Sequence, residues 1–195
     1  MRVFVLARHG ESTLNAARVV NGDFTVVAPL TERGRRQCEL LGHQLRNLPL
    51  DLCVVSRFGR TRESAEMALS GRTIPIVAEP LLDDVRIGDL EGLSVDEYRK
   101  WKRGRQRSEP FPNGESLNDA AHRYSRAFES LLARAERSIL VVAHEIPVRY
   151  ALNAAECSPD PDRPHHDIGN ATAYVFGDAQ LRSAAAQLAL LSKPG

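Results

Sequence analysis

A three-layer α/β sandwich is the fold class that this sequence predicts, and two observations carry the prediction. Short apolar runs at Val3 to Ala7, Leu52 to Val55 and Ile139 to Ala143 alternate with segments whose apolar residues recur at spacings of three and four. Strands alternating with helices place helices on both faces of one sheet. The first run also holds five consecutive apolar residues with no polar alternation, the habit of a strand buried on both faces and hence of a parallel sheet.

That first strand stops on Arg8-His9-Gly10. Ligands in open α/β sheets collect outside the carboxyl ends of strands, and a glycine there lets backbone N–H groups approach an anion. His9 beside Arg8 is therefore a candidate phosphate ligand or nucleophile, with a capping charge pair as the plainer account. Residues 16 to 28 are irregular and carry the turn signal Asn21-Gly22-Asp23, so a loop is expected across the mouth of the site. Thr31 is a good helix N-cap, Glu32 suits the positive helix end, and Cys38, Leu41, Leu45 and Leu48 mark the buried stripe of a helix that Pro49 closes.

A second strand over Asp51 to Val55 delivers the cations of Ser56-Arg57-Phe58-Gly59-Arg60-Thr61-Arg62 at its end, before a helix through Leu69. Ile74 to Val77 reads as a third short strand, followed by a break at Pro80 and the acidic loop Asp83-Asp84-Val85-Arg86. Residues 93–116 are polar and interrupted by Pro110, Pro112 and Gly114, which predicts an excursion over the site rather than core. Within it the basic run Arg99 to Arg107 reads first as a solvated face, and second as a positive rim that draws in an anionic substrate. Leu117, Ala121, Tyr124, Phe128, Leu131 and Ala135 then form the strongest helical stripe, leading to a strand at Ile139 to Ala143 and to His144. A last strand is expected at Thr172 to Phe176; the alanine-rich tail is left unassigned.

Length and composition set the remaining bounds. The 195 residues read as a single domain, 1–195, able to bury about 70% of the unfolded surface in one core. A net charge of +1 gives no global attraction to nucleic acid or membrane, and no run approaches the roughly 18 apolar residues of a membrane span. The chain enters its first strand with no leader pattern, so a cytoplasmic location is expected. Cys38, Cys53 and Cys157 form no CxxC pair and read as small fillers rather than a disulfide. His165-His166-Asp167 is the other histidine cluster and reads as solvated loop residues; no HxxxH or CxxC spacing supports a metal.

Several motifs stand together in one order. They are Arg8-His9-Gly10-Glu11-Ser12-Thr13-Leu14-Asn15, Pro29-Leu30-Thr31-Glu32-Arg33-Gly34, Ser56 to Arg60, Gly88-Asp89-Leu90-Glu91-Gly92, Gly114-Glu115-Ser116-Leu117 and Val141-Val142-Ala143-His144. In this the chain resembles the histidine phosphatase (phosphoglycerate mutase-like) superfamily over roughly residues 2 to 176. The resemblance implies a mostly parallel sheet with one antiparallel strand, and hydrolysis of a phosphomonoester through a phosphohistidine on His9. It also implies a phosphate pocket of Arg8, Asn15, Arg60 and His144, with no cofactor and no metal. Phosphoryl transfer asks for in-line positioning and positive charge around three equatorial oxygens. An imidazole of ordinary pKa about 6.5 is largely neutral at pH 7 and has a lone pair for the attack.

Two departures concern the proton donor. The mutase-like branch has Glu four residues before the glycine of Gly-x-x-Glu-Gly; here that position is Asp84, shorter by one carbon–carbon bond of about 1.5 Å. Glu145 stands where many relatives have Gly, and the acid-phosphatase branch uses an acidic residue beside the second histidine as donor. Asp84 is favoured by motif position and loop freedom, with Glu145 as rival donor and substrate contact. The resemblance leaves two other functions in view: a mutase primed by a bisphosphorylated sugar acid, and a pseudoenzyme that only senses phosphorylated ligands. A small phosphorylated metabolite is the expected partner, and the oligomeric state stays open, a homodimer included.

Overall fold

The computed structural model describes residues 2–158, 160–162 and 168–191. Among these residues five strands, β1 (Val3–Arg8), β2 (Leu52–Val55), β3 (Ile76–Ala78), β4 (Ser138–Ala143) and β5 (Ala173–Gly177), form one sheet in the order β3-β2-β4-β1-β5. All neighbours are parallel except β5, which runs antiparallel to β1. The register sets Arg8 opposite Ala143, so β1 and β4 end side by side and deliver His9 and His144 to the same edge.

Among the described residues seven α-helices occur in chain order: α1 (Thr13–Ala16), α2 (Glu32–Leu45), α3 (Gly59–Ala68), α4 (Val95–Lys102), α5 (Leu117–Ala133), α6 (Glu145–Ala155) and α7 (Asp178–Leu191). Side chains alternate across the sheet, which decides the layers. Val5, Ala7, Cys53, Val55, Leu140 and Val142 pack with Cys38 and Leu41 of α2 and Ala65 and Ala68 of α3. Phe4, Leu6, Val54, Ile139 and Val141 pack on the other face with residues of α5, α6 and α7, among them Tyr124, Phe128, Tyr150 and Leu188. Both faces of β1 and β4 are covered, which is why their sequences show no polar alternation. Each fully buried large side chain contributes about 1.5–3 kcal/mol.

The structure adjusts several expected boundaries. The first long helix stops at Leu45, before Leu48, because the residue preceding Pro49 is pushed toward extended backbone; Arg72 then satisfies the freed carbonyls of Leu45 and Leu48 at 2.9 and 2.7 Å. The third strand begins at Ile76, after Pro75, which has no N–H for the ladder. The alanine-rich tail is helix α7, packed on α5 and α6. Residues 93–116 are not wholly outside the core: Phe111 is 3% exposed, stacked by Tyr98 and Trp101 at 5.7 and 5.1 Å between ring centres. In the basic run Arg99, Lys100, Arg103 and Arg105 are exposed, whereas Arg107 turns inward to Asp162, the Tyr150 hydroxyl and Asn118.

The three cysteines are free thiols, Cys38 and Cys53 buried and Cys157 exposed. Among the described residues no group of three or more His, Cys, Asp or Glu could hold a metal ion, and no helix is long and apolar enough to cross a membrane. His165, His166 and Asp167 lie outside the described residues.

Candidate active site

His9 follows the last residue of β1, and its backbone is fixed on both sides: its N–H donates to Ala143 at 2.9 Å and its carbonyl accepts from Asn170 at 2.9 Å. The next turn lies directly on α2. A Cβ at Gly34 would sit 2.1 Å from the Glu11 carbonyl, so the Arg8-His9-Gly10 and Thr31-Glu32-Arg33-Gly34 motifs meet backbone to backbone only because that position is glycine. Ser64 of α3 receives the Gly10 N–H at 3.0 Å.

The His9 ring is 2% exposed, with Nδ1 2.6 Å from the Gly10 carbonyl. A carbonyl only accepts, so Nδ1 carries the proton and Nε2 keeps its lone pair. Loss of hydration, then the Arg60 and Arg8 charges, hold the His9 pKa well below its ordinary value, which keeps the ring neutral. His144, fully buried, is lowered by the same first two causes. Its Nε2 donates to Ser56 Oγ at 2.8 Å, and Nδ1 accepts from Arg60 at 3.2 Å.

Arg60 is the second residue of α3 rather than a strand-end residue: β2 stops at Val55, and the helix begins at Gly59 behind Phe58. The correction matters for geometry, because a first-turn position aims the side chain back across the sheet edge. Its Nε donates to His9 Nε2 at 3.0 Å, and the guanidinium lies 4.2 Å from the ring centre of Phe58. The remaining N–H groups reach Asn21, through both its side-chain oxygen and its carbonyl. Asn21 is thus a wall residue of the site. The sequence presents it merely as a turn; only the fold shows its pairing with Glu91, which accepts from the Asn21 amide at 3.2 Å and from the Gly22 N–H.

Asp84 is brought to the same point despite its short side chain. One carboxylate oxygen is 3.5 Å from Arg60 and 3.5 Å from His144 Nδ1. Loss of hydration outweighs the Arg60 charge and raises its pKa to about 6. Arg8 donates to the Ile168 carbonyl at 3.1 Å and lies 3.0 Å from Glu145, while its Nε is buried with no partner among the described residues. Glu145 is the first residue of α6 and is shared between Arg8 and Arg149. Asn15 lies to one side: its oxygen accepts from the Ser12 N–H at 3.1 Å in the capping box of α1, leaving its amide N–H groups without a partner among the described residues. His9, Arg60, His144 and Asp84 therefore form one contiguous cluster, with Arg8 and Glu145 at its side.

Comparison with known proteins shows what the chain is similar to. Probable phosphoglycerate mutase GpmB of Erwinia tasmaniensis is 32% identical over 148 residues, 71% of this chain and 67% of that one. A relative of the same name from Photorhabdus laumondii is matched over 60% of its length, so the chain spans about two thirds or less of these relatives. YhfR of Bacillus stearothermophilus superposes with a TM-score of 0.78 at 28% identity over 89% of each chain. Alpha-ribazole phosphatase of Shigella flexneri gives 0.78 at 24% identity, again over 89% of each, a likeness of fold. The family model of the histidine phosphatase superfamily, branch 1, matches residues 4–185, and the chain belongs to that superfamily.

Proposed function

We propose that the protein is a phosphomonoesterase that carries the phosphoryl group on Nε2 of His9. The observation that carries this reading is the unprotonated Nε2 facing Arg60, with the Asp84 carboxyl 3.5 Å from the same guanidinium. The substrate phosphate enters between Arg8, Arg60, His144 and the Asn15 amide; the N–H groups of the two arginines and of Asn15 replace water around the equatorial oxygens, with the His144 ring as a wall of the pocket. The Nε2 lone pair forms the N–P bond as the P–O bond to the leaving group breaks, and Asp84 gives its proton to the departing oxygen. Water then attacks phosphorus and loses its proton to the Asp84 carboxylate; the N–P bond breaks, releasing inorganic phosphate and neutral His9. An acid with pKa about 6 suits this double role near neutral pH. Small phosphorylated metabolites in the cytoplasm are the substrates that this reading implies.

Rapid quenching into alkali tests it, because phosphohistidine survives base and is lost in acid. A labelled phosphoryl group should be trapped on the wild type and be absent from His9→Ala; turnover retained by His9→Ala would remove the nucleophile from the mechanism. Likeness to GpmB supports a second reading, in which the phosphoryl group returns to a sugar acid. Interconversion of 2- and 3-phosphoglycerate faster than phosphate release would favour it.

A further inference from the structure

The Gly114-Glu115-Ser116 motif contributes nothing to the phosphate pocket, yet Glu115 is 4% exposed. A buried carboxylate must be paired, and this one is held by Arg123 of α5, through both Nε and a terminal nitrogen, while also accepting from the Arg86 N–H at 3.0 Å. Arg123 spends its other N–H groups on the backbone of the loop that carries Asp84. It donates to the carbonyls of Leu81 at 2.9 Å, Asp83 at 2.7 Å and Asp84 at 3.1 Å, so all five guanidinium hydrogens are engaged.

The loop is clamped from other directions too. The Tyr124 hydroxyl donates to the Asp83 carbonyl at 3.0 Å, and Arg57 holds the Asp83 carboxylate through its backbone N–H at 2.9 Å and Nε at 2.7 Å. The Glu115 N–H donates to the Arg86 carbonyl at 2.9 Å. A Cβ on Gly114 would lie 2.3 Å from that same carbonyl, so this close pairing requires glycine. Adjacent aspartates thus divide the work: Asp83 faces away from the pocket and is tied to Arg57, whereas Asp84 faces into it.

We propose that Arg123, oriented by Glu115, is a positioning residue that fixes the backbone on both sides of Asp84 so that this short acid reaches the leaving oxygen. The proposal rests on the reading of Asp84 as proton donor. Its physical ground is reach. A carboxyl one bond closer to the backbone than glutamate has fewer torsions with which to correct a displaced loop, and about 1 Å of misplacement costs about 100-fold. Lysine replaces only part of the contact, since its three donors from one nitrogen do not match three carbonyls and a carboxylate.

The test measures phosphorylation of His9 in single turnovers by β-glycerophosphate, whose alkoxide must be protonated to leave, and by p-nitrophenyl phosphate, whose phenolate leaves unaided. Asp84→Asn, Arg123→Gln, Arg123→Lys and Glu115→Gln are compared, with thermal unfolding as the control for folding. Arg123→Gln should lose about 10- to 100-fold with β-glycerophosphate and no more than about threefold with p-nitrophenyl phosphate, a smaller copy of the Asp84→Asn pattern. Arg123→Lys should fall between it and wild type. If Arg123→Gln does not fold, Glu115→Gln reads the same contact, since it keeps an acceptor for Arg86 while weakening the hold on Arg123. Equal losses on both substrates, or none on either, with a selective Asp84→Asn, would overturn the positioning role alone. An unselective Asp84→Asn would overturn the reading of the acid, and the positioning role with it.

Discussion

Arg60 Nε donates to Nε2 of His9 across 3.0 Å, while a terminal nitrogen of the same guanidinium donates to His144 at 3.2 Å. One planar cation therefore spans both imidazoles, and the fold itself sets its distance to His9 Nε2. On the proposed mechanism an incoming phosphate would take over these N–H groups and free the Nε2 lone pair for attack on phosphorus.

Arg60→Ala should lose about 2.7–4 kcal/mol of transition-state stabilisation, or roughly 10²–10³ in the rate of His9 phosphorylation. Arg60→Lys should recover little, because a single ammonium cannot meet both imidazoles and Asn21 at once. Single-turnover rates on folded variants decide the matter; an unimpaired Arg60→Ala would dismantle the pocket.

Asp84 and Glu145 make opposite forecasts as proton donor. Glu145 is bridged between two arginines, whereas Asp84 faces Arg60 and His144 at the centre of the cluster. Asp84→Asn should slow phosphorylation by an alkyl phosphate about 10²–10⁴-fold and affect p-nitrophenyl phosphate far less. Glu145→Gln should show no such dependence on the leaving group. The reverse pattern would assign the acid to Glu145.

The pH dependence follows from burial. The donor must be protonated when phosphorylation begins, so kcat/KM for an alkyl phosphate should fall as pH rises through the Asp84 pKa of about 6, tenfold per unit beyond it. Arg60 and Arg8 oppose that shift, and Glu145 reinforces it. His9 stays neutral down to pH values well under 6.5, so it imposes no acid limb near neutrality. A bound phosphate dianion adds negative charge beside Asp84, and the basic limb of kcat should therefore lie at higher pH than that of kcat/KM. A basic limb unchanged in Asp84→Asn would exclude this carboxyl.

Gly34 offers a stability test in which two effects oppose each other. Alanine within α2 would ordinarily gain up to about 1 kcal/mol of helix propensity. Here the new Cβ would stand 2.1 Å from the Glu11 carbonyl, and overpacking of that kind costs about 1–3 kcal/mol. Gly34→Ala should therefore lower Tm by several degrees, and it should slow His9 phosphorylation as the turn after the nucleophile shifts. A raised Tm would show that the two motifs can part without cost.

Much of this architecture was legible in the chain because its signals are local. β1 and β4 hold uninterrupted apolar runs, Val3 to Ala7 and Ile139 to Ala143, since both faces of the sheet are covered. The Thr31 side chain caps α2 as its residue type forecasts, accepting from Gly34 at 3.0 Å. α7 was left unassigned: its buried Leu181, Ala184, Ala185 and Leu188 do recur at spacings of three and four, but exposed apolar residues such as Ala186 and Leu190 blur the stripe until α5 and α6 show which face is covered. Asn21 and Arg123 were passed over for the same reason. A turn asparagine and a helix arginine look ordinary until Arg60, 39 residues away, and Asp83, 40 residues away, are brought against them.

The sequence by itself determined the chemical inventory and its order along the chain: His9 after a buried strand, cations after β2, an acid four residues before Gly88, and a second imidazole after β4. Side-chain periodicity, cap chemistry and glycine spacing act over a few residues, so they can be read one segment at a time. The tertiary structure alone decided which groups touch and which carry protons. It placed Arg60 on both imidazoles, moved it from a strand end to the first turn of α3, brought the Asp84 carboxylate within 3.5 Å of Arg60 and His144, and raised that acid toward neutrality. Desolvation and charge act through space, between residues as far apart in the chain as Arg60 and His144, and only the folded packing fixes those distances.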